Sequence, residues 1–481
     1  MVQQRDAKDQ TKRIYVAIFL TALVLRLAYC FYLQKFMWGG EFRYTTADTP
    51  SYLDSFMNLL HYGRYCFDLE IKDSCFYRLP TYPFFLGINH LIFSKFAWAS
   101  VSVFQSMIDA VSCCLAFAIA RGLNFDLVSQ RVVALLFICY PFTIVWTSVQ
   151  VPEVIGVFFV LLAVYFIVVE QRQVLSVLGS GAALVLAVWS KQYTLALLPA
   201  VVFLVASQAD WKRAVTITTA IYVSFCVFYS PWPIRNYVNH GESAFLMGKT
   251  TGHRFYLADF NSEMNFVKLF YENPKDMLDI AATKGMLILP ESKFVKDHRY
   301  EIDQAVRLAF EKGPGSLLRQ GKVLTINKEL RVDEKNVADA FNVLSIKAKN
   351  EMAFTEYYRT AFESFQKGFF KTNYIAKSGS AIIQAILFGY RGILVVLGIL
   401  ALFVARDRVR WFVVGVLMYW VSTLFVISFI YRQVEMRYLL MSDMLLIICS
   451  GLTIGWIWSK VRRLMEKTMK FPKIIKEIIL G

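Results

Sequence analysis

Ten apolar stretches, most of them near the length that crosses the hydrocarbon core of a bilayer, constrain this chain more than any other feature. They run over Ile14 to Leu33, Ala97 to Ala120, Val132 to Val149, Pro152 to Val169, Leu175 to Trp189, Tyr193 to Ser207, Ala214 to Tyr229, Ile382 to Ala405, Trp411 to Ile430 and Tyr438 to Ile457. The expected fold is an all-α polytopic membrane protein with about ten or more transmembrane helices. The first stretch lacks a small-residue cleavage site and carries Arg26, so it reads as a retained helix rather than a signal peptide. Arg26 and Arg391 lie in or near spans, where a charge is costly and is paired or functional.

The formal net charge of +16 would suggest nucleic acid in a soluble protein. Here 57% of residues are hydrophobic, and basic residues beside apolar spans mark cytoplasmic loops and anionic head groups instead. With the N-terminus in the cytoplasm, each short connection on that side is basic: Arg5 to Arg13, Arg121 and Arg131, Arg172, Lys212 and Arg213, Arg406 to Arg410, and the tail from Lys460. The other side then holds the loop 34–96, the turn before Glu153, the turn at Lys191, the long region from Arg235, and the turn with Glu435 and Arg437. Isolated polar residues thus gather on one, extracytoplasmic, face, with both termini cytoplasmic. Four parts follow: a transmembrane module 1–230 with its outer loop 34–96, an extracytoplasmic helical region 231–381, three closing spans within 382–459, and a basic tail 460–481. In the helical region, Phe266 to Met286, Tyr300 to Glu311 and Val337 to Phe370 have helical periodicity.

Within the first outer loop, Thr49-Pro50 suits a helix start, with Thr49 as N-cap and Pro50 first in the helix. Leu53, Phe56, Met57 and Leu60 recur at helical spacing, which predicts a short amphipathic helix on the membrane surface, ended by Gly63. Asp48 stands at its mouth, a place for a catalytic base, although a carboxylate there also suits the helix dipole. Six cysteines, Cys30, Cys113, Cys114, Cys139, Cys226 and Cys449, lie in spans as small apolar residues. Cys66 and Cys75 share the outer loop, where an oxidising compartment would allow a disulfide. No cysteine has a partner at a metal-ligand spacing, so no cofactor is firmly implied and a divalent metal finds no clear ligand motif.

Several short motifs, in order, resemble the GT-C type membrane glycosyltransferases, in particular bacterial relatives of protein O-mannosyltransferases and of the lipid A aminoarabinose transferase. They are Asp48 with Tyr52 and Gly63-Arg64-Tyr65; Arg78-Leu-Pro-Thr-Tyr-Pro83; Tyr140-Pro141 and Pro152-Glu153; Pro231-Trp-Pro-Ile-Arg-Asn-Tyr237; and Glu435-Met-Arg-Tyr438. The resemblance spans about the whole chain. It implies transfer of a sugar from a polyprenyl-phosphate donor to a lipid, glycan or protein hydroxyl on the outer face, in a bacterial inner membrane. Asp48 matches the loop carboxylate that takes the acceptor proton, with Glu153 as a second acid. A hydroxyl nucleophile needs such a base, and the departing phosphate needs cations. Arg235 is the first expectation for that contact, with Arg437, Lys191 and Arg78 behind it, because an arginine fork suits phosphate. Tyr52, Tyr82, Trp232, Glu435 and Tyr438 are expected to line the substrate.

The chain departs from the pattern in two places. Asp48 is followed by Thr49 where many relatives carry a second acid, and Lys191 stands where arginine then proline is common. Two other classes stay open, a ligase that moves a glycan from a lipid pyrophosphate and a polytopic transporter or flippase. The latter should show two related halves or broken midplane helices, and the sequence shows neither.

Overall fold

The computed structural model describes residues 2–37, 42–72, 74–242, 244–246, 257–272, 274, 277–278, 281, 286–320, 322, 328–369, 381–431 and 435–468. Every regular element among them is helical. Eight helices are long and apolar enough to cross a membrane, and two shorter apolar ones, Glu153–Val168 and Gln192–Ala206, stand beside them. Together they cover the ten expected spans.

The membrane part is built from α1 (Val2–Ala28), α4 (Ala97–Gly122), α5 (Leu127–Ile138), α6 (Glu153–Val168), α7 (Gln173–Ser190), α8 (Gln192–Ala206), α9 (Trp211–Tyr229), α15 (Ala381–Val404), α16 (Asp407–Phe425) and α17 (Met436–Thr468). Caps fix where some of these start: Asp126 accepts the Ser129 N–H at 3.0 Å ahead of α5, and Asp210 the Arg213 N–H at 3.1 Å ahead of α9. α17 is the central staff, packed against α15, α5, α16 and α6. It closes on α5 through Gly455, where a Cβ would meet the Ser129 Cα at 2.9 Å. Large side chains such as Val16, Leu20, Val24 and Phe403 face outward, as a lipid-facing wall requires.

Two buried ion pairs cross this core. Arg26 of α1 reaches Asp109 of α4 at 2.7 Å and donates to the Phe137 and Ile138 carbonyls at the end of α5. Arg391 of α15 takes Asp443 of α17 with two N–H groups, at 2.8 and 3.1 Å, and Trp420 of α16 donates to the same carboxylate. Charges in spans that sequence leaves without partners are thus paired, and each pair pins three or more segments.

The loop 34–96 holds α2 (Thr49–Tyr62) and α3 (Thr81–Phe93). α2 starts one residue earlier than expected: Asp48 occupies the N-cap position, and Thr49 and Pro50 lie inside. Gly63 ends it in a left-handed conformation, φ 66°. The face it buries is Ser51, Tyr52, Ser55 and Phe56, while Leu53 and Met57 are half-buried and Leu60 is exposed. Only Phe56 of the expected apolar stripe is therefore buried, because α3 packs on the side of the helix that holds Tyr52 and Phe56, with the Tyr82 and Phe84 rings 5.1 and 5.4 Å from them. α3 is not anticipated in a segment read as loop.

The helical region packs α11 (Ala258–Val267), α12 (Arg299–Lys312) and α13 (Lys328–Glu351) around Phe266, Phe270, Ile302, Ala309, Val337 and Phe341, and ends in α14 (Arg359–Gly368). α12 covers the expected 300–311. The helix expected over 266–286 is not continuous: α11 stops at Val267 and turns follow, and 273, 275–276, 279–280 and 282–285 lie outside the described residues. The stretch expected over 337–370 is interrupted between Glu351 and Arg359 by a break and a short helix, Phe354–Tyr357. Residue 370 and most of the tail, 469–481, lie outside the described residues.

Candidate active site

The backbone before α2 is tied to the turn before α6. Gln150 donates its N–H to the Tyr44 carbonyl at 2.8 Å, and the Thr49 hydroxyl donates to the Gln150 carbonyl at 3.0 Å while accepting the Thr46 N–H at 2.9 Å. Thr49, expected as a cap, instead fastens the loop to the segment that carries Glu153. This brings the ends of α2, α6, α7 and α17 to one place.

Asp48 is at the centre. Its side chain, 35% exposed, makes no hydrogen bond to the helix it precedes, so it is not a capping carboxylate. Its Oδ1 accepts from Arg78 at 3.0 Å, and its Oδ2 accepts from Arg437 at 3.4 Å. Burial pushes its pKa up, but Arg78, Arg437 and Lys191 outweigh that and hold the carboxyl well below the usual carboxylate range.

Arg78 is fixed from several sides. It donates through Nε to the Ser51 hydroxyl at 2.8 Å, and its guanidinium lies 4.0 Å over the Tyr52 ring and 4.4 Å over Tyr77. Tyr52 meets Tyr82 edge-on, with centroids 5.1 Å apart. Tyr82 is wholly buried and donates to Gln105 at 3.1 Å, so it braces Tyr52 and offers no face to a substrate.

The second half of the site gathers on Glu153. It is fully buried, with Lys191 at 3.2 Å and Arg437 at 4.0 Å, yet neither oxygen accepts a hydrogen bond among the described residues. Burial opposes the Lys191 charge, but Glu153 leads the groups that raise its pKa well above the ordinary value. Arg437 also pairs with Glu435 at 2.6 Å and lies 5.1 Å from the Tyr438 ring. Tyr193, which sequence reasoning passes over as a site residue, packs against Tyr438 with the rings tilted by 59° and centroids 5.5 Å apart, and donates to the Arg437 carbonyl at 3.4 Å. Ser51 is missed as well; its position three residues after Asp48 was the available signal.

Arg235 and Trp232, on α10 (Pro231–His240), stand apart from this cluster. The Arg235 guanidinium donates to the Cys75 carbonyl at 2.9 Å, the Tyr65 carbonyl at 2.8 Å and the Asn236 side chain at 2.7 Å. It is not among the cations around Asp48. Cys66 and Cys75 are joined by a disulfide, which closes the loop that Arg235 holds. His240 lies with these two sulfurs in the one three-residue group of potential metal ligands among the described residues, but both sulfurs are in the disulfide. Beside Arg235 opens a cavity of about 680 Å³ walled by Tyr65, Phe84, Trp189 and Trp232.

No family model matches the sequence, and no curated protein matches it. Among solved structures the chain is similar to the archaeal oligosaccharyltransferase AglB from Archaeoglobus fulgidus, in complex with an inhibitory peptide and a dolichol-phosphate. That match has 14% identity and a TM-score of 0.49 and covers 96% of this chain and 53% of the other, so the chain spans about half of that protein's length. It is also similar to ArnT from Cupriavidus metallidurans in the apo state, with 13% identity, a TM-score of 0.37 and coverage of 94% and 78%. ArnT bound to undecaprenyl phosphate gives 12%, 0.37, 96% and 81%.

Proposed function

We propose that this chain is a membrane glycosyltransferase that moves a sugar from a polyprenyl-phosphate donor to a hydroxyl on the extracytoplasmic face. The observation that carries the reading is one carboxylate, Asp48, ringed by Arg78, Arg437 and Lys191 at the mouth of a helical membrane bundle. Arg78, Arg437 and Lys191 are balanced in the free protein by Asp48, Glu153 and Glu435, and a donor phosphate binds by competing with Asp48 for their N–H donors. In the resting state the Asp48 carboxylate holds the place that a donor phosphate takes.

The donor phosphate then draws Arg437 and Lys191 away from Asp48. Loss of those neighbours raises the Asp48 pKa toward that of an effective base, so the base is armed when donor is present. Asp48 removes the acceptor's proton as its oxygen attacks the anomeric carbon, and the bond to the phosphate oxygen breaks. The same cations stabilise the charge that develops on the leaving phosphate. Glu153, fully buried, positions Lys191 from behind at 3.2 Å. The aromatic cavity beside Trp232 takes the first isoprene units, with Arg235 at its edge.

The test is transfer of labelled sugar from polyprenyl-phosphate donors in proteoliposomes, with intact donor counted on each side of the bilayer. Sugar appearing on an acceptor supports the reading. Donor crossing intact without transfer contradicts it.

A further inference from the structure

Arg437 and Lys460 lie at opposite ends of α17, about 34 Å apart at ~1.5 Å per residue. At the Lys460 end lies a second cavity, of about 780 Å³, far from Asp48. Its walls come from both halves of the bundle: the turns between α4 and α5 and between α8 and α9 on one side, and the α15–α16 turn with the end of α17 on the other. Four cations line it, Arg406, Arg408, Lys460 and Arg463, against two carboxylates. One of these, Asp126, is engaged as the α5 cap, accepting from the Ser129 N–H and hydroxyl. Arg408 donates to the Gln208 carbonyl at 3.0 Å, and Lys460 lies 5.6 Å over the Trp456 ring. None of the four makes an ion pair among the described residues, and the two carboxylates leave the lining with an excess of positive charge.

A second observation sets the depth of this cavity. Phe203, Trp211 and Trp411 meet at the same end of the bundle, with centroids 5.6 to 6.0 Å apart, and both indoles are about half exposed. Clustered, half-exposed tryptophans mark the level of lipid head groups. A cavity at that level with a net positive lining and an apolar back wall, Leu452 and Trp456, suits a charged head on an apolar tail.

We propose that this cavity binds the phosphate head group of an anionic membrane lipid, which clamps the turns of the first seven membrane helices to those of the closing three. The phosphate chemistry is shared with free inorganic phosphate, and the lipid is the occupant assigned here. The site is independent of the Asp48 cluster and of the reading built on it.

The test uses the full chain in nanodiscs of phosphatidylcholine with and without phosphatidylglycerol, read by thermal unfolding and by mass spectrometry of the lipid retained. Wild type should gain several degrees with phosphatidylglycerol and keep it through gentle delipidation. Lys460→Gln/Arg463→Gln should lose the gain and retain about tenfold less of that lipid, since each cation near the surface contributes independently. Arg406→Gln/Lys460→Gln serves as a second variant if the first fails to fold. Lys335→Gln/Lys349→Gln, on exposed positions of α13, removes the same charge elsewhere and should behave as wild type. An equal gain in the cavity variants, or an equal loss in the α13 variant, overturns the proposal. Inorganic phosphate in phosphatidylcholine discs that reproduces the whole shift at constant ionic strength overturns the lipid assignment.

Discussion

Lys191 and Glu153 meet 3.2 Å apart where α7 ends and α6 begins, and Glu153 has no exposed surface. The pair stores the arrangement of the site. Removing the ammonium strands a buried carboxylate, which costs about 3–5 kcal/mol. Lys191→Met should therefore lower the unfolding temperature markedly, whereas Lys191→Met/Glu153→Gln should recover most of the loss while remaining inactive. Thermal unfolding of the four members of that cycle checks it; additive losses would contradict the pairing.

The low pKa of Asp48 has a consequence for pH. A depressed carboxyl contributes stability that is present above its unfolded value, about 3.9, and is lost as pH falls through the lower folded value. In the free protein Asp48 is therefore ionised throughout the range in which membrane enzymes are assayed. The profile of kcat/KM should show no acid limb from Asp48 between pH 5 and 7. With Arg437→Ala one counter-charge is gone, and an acid limb should move up toward that range.

Arg437 and Arg235 should separate in kinetics. Arg437 pairs with Asp48 and Glu435, whereas Arg235 holds the Tyr65 and Cys75 carbonyls of the disulfide-closed loop. Arg437→Ala should lower kcat/KM by about 10²-fold or more. Arg235→Ala should act mainly on loop stability, with a smaller rise in KM for donor. The reverse order would restore Arg235 as the main phosphate contact.

In the helical region, burial raises the Asp259 pKa to about 6, and among the described residues one of its oxygens has no hydrogen-bond partner while the other accepts the Gly315 N–H at 2.8 Å. A raised folded pKa gives stability that is full below the unfolded value and is lost as pH rises through about 6. Amide exchange of α11 and α12 should accelerate between pH 4 and 7 beyond the intrinsic rate, by an opening free energy of up to about 3 kcal/mol. Asp259→Asn should remove that dependence.

The spans were legible because lipid demands long apolar helices, and their periodicity survives any tertiary arrangement. The motifs of Asp48, Arg78, Lys191 and Arg437 were legible because polar residues beside such spans are rare. What sequence withholds is which cation meets which acid. Arg235 looked the better phosphate contact from its motif, but three nearby acceptors that cannot be foreseen from spacing take its donors. Tyr82 likewise looks available until Gln105 is found across from it. α3 escaped because its apolar run of thirteen residues is too short to read as a span, and the Arg26–Asp109 and Arg391–Asp443 pairs join positions too far apart for any local pattern.

The most direct measurement of the central claim is single-turnover sugar transfer from a polyprenyl-phosphate donor by Asp48→Asn beside wild type, with donor affinity measured separately. The account predicts a fall in rate of about 10²- to 10⁴-fold, with donor bound at least as tightly, because the phosphate no longer competes with a carboxylate for Arg78, Arg437 and Lys191. A variant that transfers at the wild-type rate, or that loses donor binding in step with turnover, would contradict it.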